Sequence, residues 1–250
     1  MGAIRATVTF GCFTSLVLLC FSSPCFHAAK SSITNDRPLD IGETMSSPNQ
    51  TFELGFMSKS TISSTTIWYL GIWSFYFEQR LVVWIAKKKN PVSNASPSLK
   101  INHSGNLIIS SADGTEIPIT SVAPISKNTS AKLLESGNLV LLEEAGGRVL
   151  WQSFDHPPDT LLPDMKLWQN LFLISGLIDE IPYLGPFTLG INPNGTNQFV
   201  VWYRGLIYWK SSLWNSLGSI KGLFGINIHY SFEFDEDGKY FNFAYNQTRG

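Results

Sequence analysis

The chain has 250 residues, 44% of them hydrophobic and 13% aromatic, with eight Trp and only 15% charged residues. This excludes a disordered chain, which is rich in charge and poor in aromatics, and leaves enough length for one large core or two small ones. Lys+Arg 18 against Asp+Glu 19 leaves no basic surplus, so a nucleic-acid partner, which needs a cationic footprint, is not expected.

Residues 1–29 read as a secretory signal peptide. Arg5 supplies the positive start, residues 8–21 form an apolar core, and Ser22-Ser23-Pro24 and Ala28-Ala29 form a small-residue cleavage region. The apolar core is short for a transmembrane helix, and no membrane span is expected beyond it. Cys12, Cys20 and Cys25 all lie inside this segment. The mature chain is therefore expected to have no thiol, which excludes a disulfide scaffold and Cys-bound zinc. His103, His156 and His229 show no metal-ligand spacing, and neither metal nor cofactor is expected. N-glycosylation acceptor sites at Asn49, Asn94, Asn102, Asn128, Asn194 and Asn246 fit an exported glycoprotein.

Downstream there is no long helical period. Short apolar runs between turn signals predict strands at 51–56, 67–77, 81–86, 98–102, 106–110, 116–122, 138–143 and 148–152, with turns at Asp113-Gly114 and Gly146-Gly147. Residues 165–178 are ambiguous and could form a short helix. Further strands are predicted at 187–191, 198–204, 206–210, 226–234 and 239–245. Ile226, Ile228, Tyr230, Phe232 and Phe234 alternate with Asn227, His229, Ser231 and Glu233, which predicts one core face and one wet face. Asp237-Gly238 then predicts a hairpin turn. Ser104-Gly105-Asn106-Leu107-Ile108-Ile109 recurs 32 residues later as Ser136-Gly137-Asn138-Leu139-Val140-Leu141. Ser-Gly suits a tight turn, Asn can bond back to the backbone, and the apolar run enters a sheet. Such a repeat implies related β-subunits stacked on a common core. The fold class is all-β, of barrel or prism type.

Five blocks then occur in a telling order: Thr51-Phe52-Glu53-Leu54-Gly55-Phe56; Tyr69-Leu70-Gly71-Ile72-Trp73; Val83-Trp84-Ile85-Ala86 with Asn90-Pro91; residues 133–140 (LLESGNLV); and residues 150–163 (LWQSFDHPPDTLLP). They resemble TFELGF, YLGIW, VWVANRxxP, LLDSGNLV and LWQSFDxPTDTLLP of the plant bulb-type (mannose-binding) lectin domain. That domain belongs to the ectodomains of S-locus glycoproteins and G-type lectin S-receptor-like serine/threonine kinases. The resemblance implies a bulb-lectin β-prism over 30–165, with three four-stranded sheets about a pseudo-threefold axis. It implies a second, partial lectin-like β region over 166–250, where Tyr208-Trp209-Lys210-Ser211 and Trp214-Asn215 are similar to the family block YWRSGPWN. Residues 166–186 depart from the family, whose LTSWKS-type strand is missing. Family receptors continue into EGF-like and PAN modules, a transmembrane helix and a kinase. No nucleotide loop, HRD or DFG block stands in this chain, so no enzyme activity is carried over.

Mannose-binding members of the family use the spacing QxDxNxVxY. Here the first repeat reads Asn102, Ser104, Asn106, Ile108, Ser110, and the second reads Leu134, Ser136, Asn138, Val140, Leu142. Both keep the Asn and an aliphatic residue and lack the carboxylate and the aromatic lid, so a degenerate carbohydrate site is expected. Asn106 and Asn138 then read as turn residues, and a glycan on Asn102 would crowd the first site. Asp155-His156-Pro157-Pro158-Asp159 offers two carboxylates around a His, but the Pro pair and the family match make it a structural turn, with no catalytic residue. Trp68, Trp73, Trp84, Trp151, Trp202, Trp209 and Trp214 are expected in cores, and Lys87-Lys88-Lys89 in a solvated loop. The resemblance implies a secreted or cell-surface recognition glycoprotein of the apoplast, either free or held at the plasma membrane through a partner. Pollen recognition enters by analogy. The expected partner is a glycan, a peptide or a receptor ectodomain, with a homo- or heterodimer open. The alternative is a truncated receptor-kinase paralogue with little independent function.

Overall fold

The computed structural model describes residues 30–60, 66–75, 80–86, 91–93, 96–123, 128–157, 159–178, 181–221 and 227–246. The expected signal peptide, the Lys87-Lys88-Lys89 run, Asn94, Pro158 and Ile226 lie outside the described residues.

Twelve strands come first: β1 (Leu39–Asp40), β2 (Thr44–Ser46), β3 (Phe52–Ser60), β4 (Thr66–Ser74), β5 (Leu81–Ile85), β6 (Val92–Ser93), β7 (Ser98–Ile101), β8 (Leu107–Ser110), β9 (Glu116–Pro118), β10 (Thr129–Leu133), β11 (Leu139–Glu143) and β12 (Val149–Gln152). They form three antiparallel sheets. β2-β3-β4-β5 takes β6 as an extra partner of β4, β1-β7-β8-β9 is the second sheet, and β10-β11-β12 is the third. Among the described residues the sheets thus hold five, four and three strands, not four each.

The local sequence accounts for the longest hairpin. β3 and β4 pair with Gly55 opposite Gly71. A Cβ on Gly55 would stand 2.8 Å from the Trp73 ring, so the bare backbone lets this indole lie across the strand. Trp73 is buried, and its indole N–H donates to Glu53 Oε2 at 3.2 Å. The Glu-Leu-Gly and Gly-Ile-Trp of the two blocks are therefore one packing unit. All three sheets turn their apolar side chains into one core, which includes Leu54, Leu70, Ile72, Leu99, Leu107, Leu139 and Leu141. Each such side chain, fully buried, contributes about 1.5–3 kcal/mol relative to exposure. Ile33 joins the core through a bridge to Ala131, tying the first described residues to the third sheet.

Eight more strands follow: β13 (Leu167–Trp168), β14 (Leu173–Ile178), β15 (Ile181–Ile191), β16 (Phe199–Tyr203), β17 (Leu206–Lys210), β18 (Leu217–Lys221), β19 (Asn227–Asp235) and β20 (Gly238–Asn246). They make two four-stranded antiparallel sheets, β13-β20-β19-β18 and β14-β15-β16-β17. The ambiguous segment 165–178 is extended because β20 captures Leu167-Trp168 and β15 captures β14. Tertiary pairing decides where local propensity does not. A smaller core lies between these sheets, centred on Leu167, Leu173, Ile191, Phe232 and Phe241. It is rich in rings: Phe199 and Phe241 lie 4.8 Å apart, and so do Trp214 and Tyr230.

Two core expectations fail in this half. Phe234 is 73% exposed, although its strand alternates as expected around buried Phe232. It sits at the hairpin end of β19, beyond the reach of the second core, and the Lys239 ammonium lies 5.3 Å from its ring. Trp209 is half exposed, because β17 is the outer strand of its sheet and every residue in it is exposed. The Asp237-Gly238 turn forms as expected: Asp235 pairs with Gly238, and Asp235 Oδ1 accepts the Asp237 N–H at 2.9 Å.

Candidate functional site

The repeat builds one kind of turn. The N–H of Asn102 donates to the carbonyl of Asn106, and the N–H of Leu134 to that of Asn138, each at 2.9 Å. The N–H of Gly105 and Gly137 donates back to the carbonyls of Asn102 and Leu134, and both glycines have a positive φ (76° and 84°). The Asp113-Gly114 turn is a third copy, joining Ser111 to Thr115 with Gly114 at φ 85°, and a fourth, missed at the sequence level, joins Asn192 to Gln198 with Gly195 at φ 79°. It is two residues longer, and its signal was Asn194-Gly195 ahead of the apolar run 199–202.

Asn106 and Asn138 do more than turn the chain. Asn106 Oδ1 accepts the Thr120 hydroxyl at 2.9 Å and the Val122 N–H at 2.8 Å, while its Nδ2 donates to the Val122 carbonyl at 2.9 Å. Asn138 Oδ1 accepts the Ser153 hydroxyl and the Phe154 N–H, both at 3.2 Å, and its Nδ2 donates to Gln152 Oε1 at 2.9 Å. Thr120 Oγ1 and Ser153 Oγ in turn accept the N–H of Leu107 and Leu139. Each Asn thus fastens a returning segment to the start of β8 or β11. For Asn138 that segment is the Trp-Gln-Ser-Phe block.

The other motif positions fall around these clamps. Asn102 Oδ1 accepts the N–H of Ser104 and of Asn106, and Ser104 itself is exposed. Ile108 and Val140 are buried within β8 and β11. Ser136 is half-buried. His156 stacks on Trp151 with ring centroids 5.3 Å apart, and its carbonyl accepts the Trp84 indole N–H at 3.1 Å. Among the acceptor sites, Asn49, Asn128 and Asn194 are exposed and Asn102 is half-buried. The side chain of Asn246, the last residue of β20, lies outside the described residues.

Beside Asn138, a cleft of about 830 Å³ opens between the first three sheets and the last two. Ser136, Asn138, Gln152, Phe154 and Asp155 form one wall. The other wall carries Lys166, Trp168 and Asn170, with Asp164, Asp235 and Asp237 along it. Gln152 Nε2 donates to Asp155 Oδ1 at 2.9 Å, so the Asn138 amide, through Gln152, holds that carboxylate. Lys166 bridges to Asp235 Oδ2 at 3.1 Å and lies over the rings of Trp168 and Tyr240. The bond to Asp235 raises the ammonium above its ordinary range, against the pull of burial. Behind it, Tyr240 donates to Glu233 Oε2 at 2.6 Å. Bonds from Ser231 and Tyr240 hold the Glu233 carboxyl below its usual range, while the bond to Glu233 and burial push the Tyr240 phenol up. Trp168 and Asn170 were missed because they lie in the segment 165–178, left ambiguous between strand and helix, and Asp164 stands immediately before it. Among the described residues no group of three His, Cys, Asp or Glu could hold a metal, and no helix is long and apolar enough to cross a membrane.

Three antiparallel sheets around one core, with a repeated Ser-Gly-Asn turn leading into β8 and β11, define a lectin-type β domain. The family described as D-mannose binding lectin matches residues 81–174. The G-type lectin S-receptor-like serine/threonine-protein kinase At1g67520 of Arabidopsis thaliana is 35% identical over 261 aligned positions, covering 95% of this chain and 30% of its own length. The corresponding kinase CES101 of the same plant is 37% identical over 223 positions, covering 85% of this chain and 26% of its own. Among solved structures, a lectin of Marasmius oreades superposes with a TM-score of 0.36 at 19% identity, over 50% of this chain and 92% of that one. The fetuin-binding two-domain agglutinin of Scilla campanulata gives 0.33 at 11%, over 86% and 97%. The chain carries a bulb-type lectin domain of the kind found in the G-type lectin S-receptor-like kinases. It matches the lectin ectodomain region of those relatives and spans about a quarter to a third of their length.

Proposed function

We propose that the chain is an extracellular recognition glycoprotein whose lectin scaffold no longer grips mannose through the turns of its repeat. The lectin unit takes residues 30–165, and a second β unit takes residues 166–250. The engagement of Asn106 and Asn138 carries this reading. The polar atoms that a sugar site would offer are spent on Thr120, Val122, Gln152, Ser153 and Phe154. The carbonyl lone pairs and one amide N–H of each Asn are engaged by the scaffold, so at most the second N–H faces a sugar, and the neighbouring Ser104, Ser110, Ser136 and Leu142 supply neither a carboxylate nor an aromatic lid. Export is supported by the apolar leader and the six acceptor sites.

The test is expression through a secretory route, followed by titration with mannose oligomers and a pull-down from plant extracellular fluid. The expected result is a secreted glycoprotein that captures a defined partner and shows no mannose binding at concentrations that saturate a lectin with an intact QxDxNxVxY motif. Mannose binding abolished by Asn138→Asp in a chain that remains folded would overturn the reading.

A further inference from the structure

We propose that the second half carries a self-complementary contact through which two copies of the chain form a twofold dimer. The exposed Phe234 tip of each copy docks on an aromatic patch around β17 of the other. This goes beyond the recognition reading above and does not depend on it.

The patch is built by an irregularity in the sheet. β16 and β17 pair Val201 with Trp209 and Trp202 with Ile207, so Tyr208 is the extra residue of a bulge. A bulge re-aims its side chain and interrupts the ladder, which favours contact through side chains over an added strand. The Tyr208 ring meets Phe187 at 5.5 Å, and Phe187 meets Tyr203 at 5.0 Å. Phe187 stands two residues from Leu189 on β15, so it shares the face that Leu189 turns to the second core. The three rings carry that apolar face beyond the core. All three are exposed, and so are Leu206, Ile207 and Trp209. An outer strand is ordinarily guarded by charge, yet β17 has only Lys210, at its end. A contiguous exposed apolar surface of this kind marks an interaction site.

Charge decides what covers it. Arg204 stands at the turn into β17, its guanidinium 5.3 Å from the centre of the Tyr203 ring. Among the described residues no carboxylate pairs with it. The complement stands on the same chain. Phe234 projects from the end of β19, 73% exposed, just ahead of exposed Glu236 and Asp237. Neither of those two carboxylates has a partner among the described residues. One exposed ring with two free carboxylates thus matches three exposed rings with a free guanidinium. Ring meets ring, and Arg204 meets carboxylate.

Position makes the match reciprocal. Lys239, beside the tip, donates to the Gly195 carbonyl, so the tip lies with the 192–198 turn at one end of β15 and β16. The patch lies towards the other end, where Tyr203 leads to Leu206, about 16 Å along the strand. Two copies laid antiparallel across a twofold axis therefore bring each tip to the other's patch, and the contact closes at two chains.

The experiment is sedimentation equilibrium of the secreted chain over a wide range of concentrations, at low and at high salt. The expected result is a monomer–dimer equilibrium that salt weakens. Phe234→Ser, Arg204→Glu and Glu236→Arg, all at exposed positions, should each weaken association about ten-fold or more. Arg204→Glu combined with Glu236→Arg should recover most of the loss, and His103→Ala, exposed in the first half, should change nothing. A chain that is monomeric throughout overturns the proposal. So does a dimer that survives both Phe234→Ser and Arg204→Glu. Association that runs on to longer oligomers also overturns it, because it means a head-to-tail contact that does not close. A monomer that binds phosphatidylcholine vesicles or another extracellular protein, and loses that binding on Tyr208→Ser, gives the patch a different occupant and overturns the dimer. None of these outcomes bears on the mannose titration, so the two readings fail separately.

Discussion

Asn106 accepts the hydroxyl of Thr120 through Oδ1 at 2.9 Å, and the same hydroxyl oxygen accepts the N–H of Leu107 at 3.0 Å. The three groups close a small ring that fixes the start of β8 to the chain returning from β9. Asn138 and Ser153 repeat the relationship at the start of β11. Asn138 is buried, so its loss would leave several polar groups without partners. Asn138→Ala is expected to lower stability by about 2–4 kcal/mol. Asn106→Asp keeps the acceptor but loses the donor to the Val122 carbonyl, and should cost about 1–3 kcal/mol. Urea unfolding followed by Trp fluorescence reads both. A loss below half a kcal/mol for Asn138→Ala would show that the clamp is dispensable.

Gly137 and Gly114 separate backbone strain from steric clash. Both have a φ near +85°, so any other L-residue there meets the left-handed penalty of about 1–2 kcal/mol. At Gly114 a Cβ would meet nothing within 4 Å. At Gly137 it would stand 2.9 Å from the Phe52 ring and 3.1 Å from Leu162, which pack at the edge of the first core. Gly114→Ala is expected to cost about 1 kcal/mol, and Gly137→Ala about 2–4 kcal/mol because the clash is added to the same strain. Equal losses in thermal unfolding would contradict the packing around Gly137.

Glu135 links the Gly137 turn to the loop before β3. Its carboxylate accepts the Asn49 N–H at 2.8 Å and the Thr51 hydroxyl at 2.7 Å. Burial works to raise the Glu135 carboxyl, but the bonds from Asn49 and Thr51 outweigh it and hold it below its ordinary value. A carboxyl lowered in the folded state adds stability above its unfolded value, near pH 4.5, and loses it as pH falls through the lower folded value. Glu135→Gln should therefore cost about 1 kcal/mol at pH 7, a modest figure for an exposed group, and almost nothing near pH 3. Paired melting curves at the two pH values check it.

How far the sequence could be read depended on whether a feature was local. The Ser-Gly-Asn turns and the Asp237-Gly238 hairpin are set by residues within a few positions of one another, and they were legible. So was the prism half, because its motif blocks are packing units, as Gly55 and Trp73 show. Leu167-Trp168 was not legible, since two residues carry no period and only β20, far along the chain, makes them a strand. The partners of Asn106 and Asn138 were half legible. A bond to backbone was foreseen, but the Val122 and Phe154 N–H groups lie on the returning segments, outside the turns themselves. The cleft depends on how the halves meet, and no spacing within either half encodes that.

Lys239 offers a final test of what holds the second half together. Its side chain is almost wholly buried, its ammonium donates to the Gly195 carbonyl at 2.6 Å, and it lies over the rings of Phe232 and Phe234. No carboxylate among the described residues forms an ion pair with it, and burial pushes its ammonium below the ordinary range. A lysine lowered in the folded state opposes folding while protonated, so stability should rise with pH between its folded value and about 10.5. Lys239→Met keeps the apolar stem between the rings and removes the desolvated charge. It gives up one bond to Gly195, which is exposed and can be hydrated instead. Stability at neutral pH should be unchanged or higher by up to about 1 kcal/mol. Lys239→Ala, which empties the space against Phe232, should cost about 1–2 kcal/mol. A loss above about 2 kcal/mol for Lys239→Met would instead show that the amine–carbonyl bond anchors the 192–198 turn to β20.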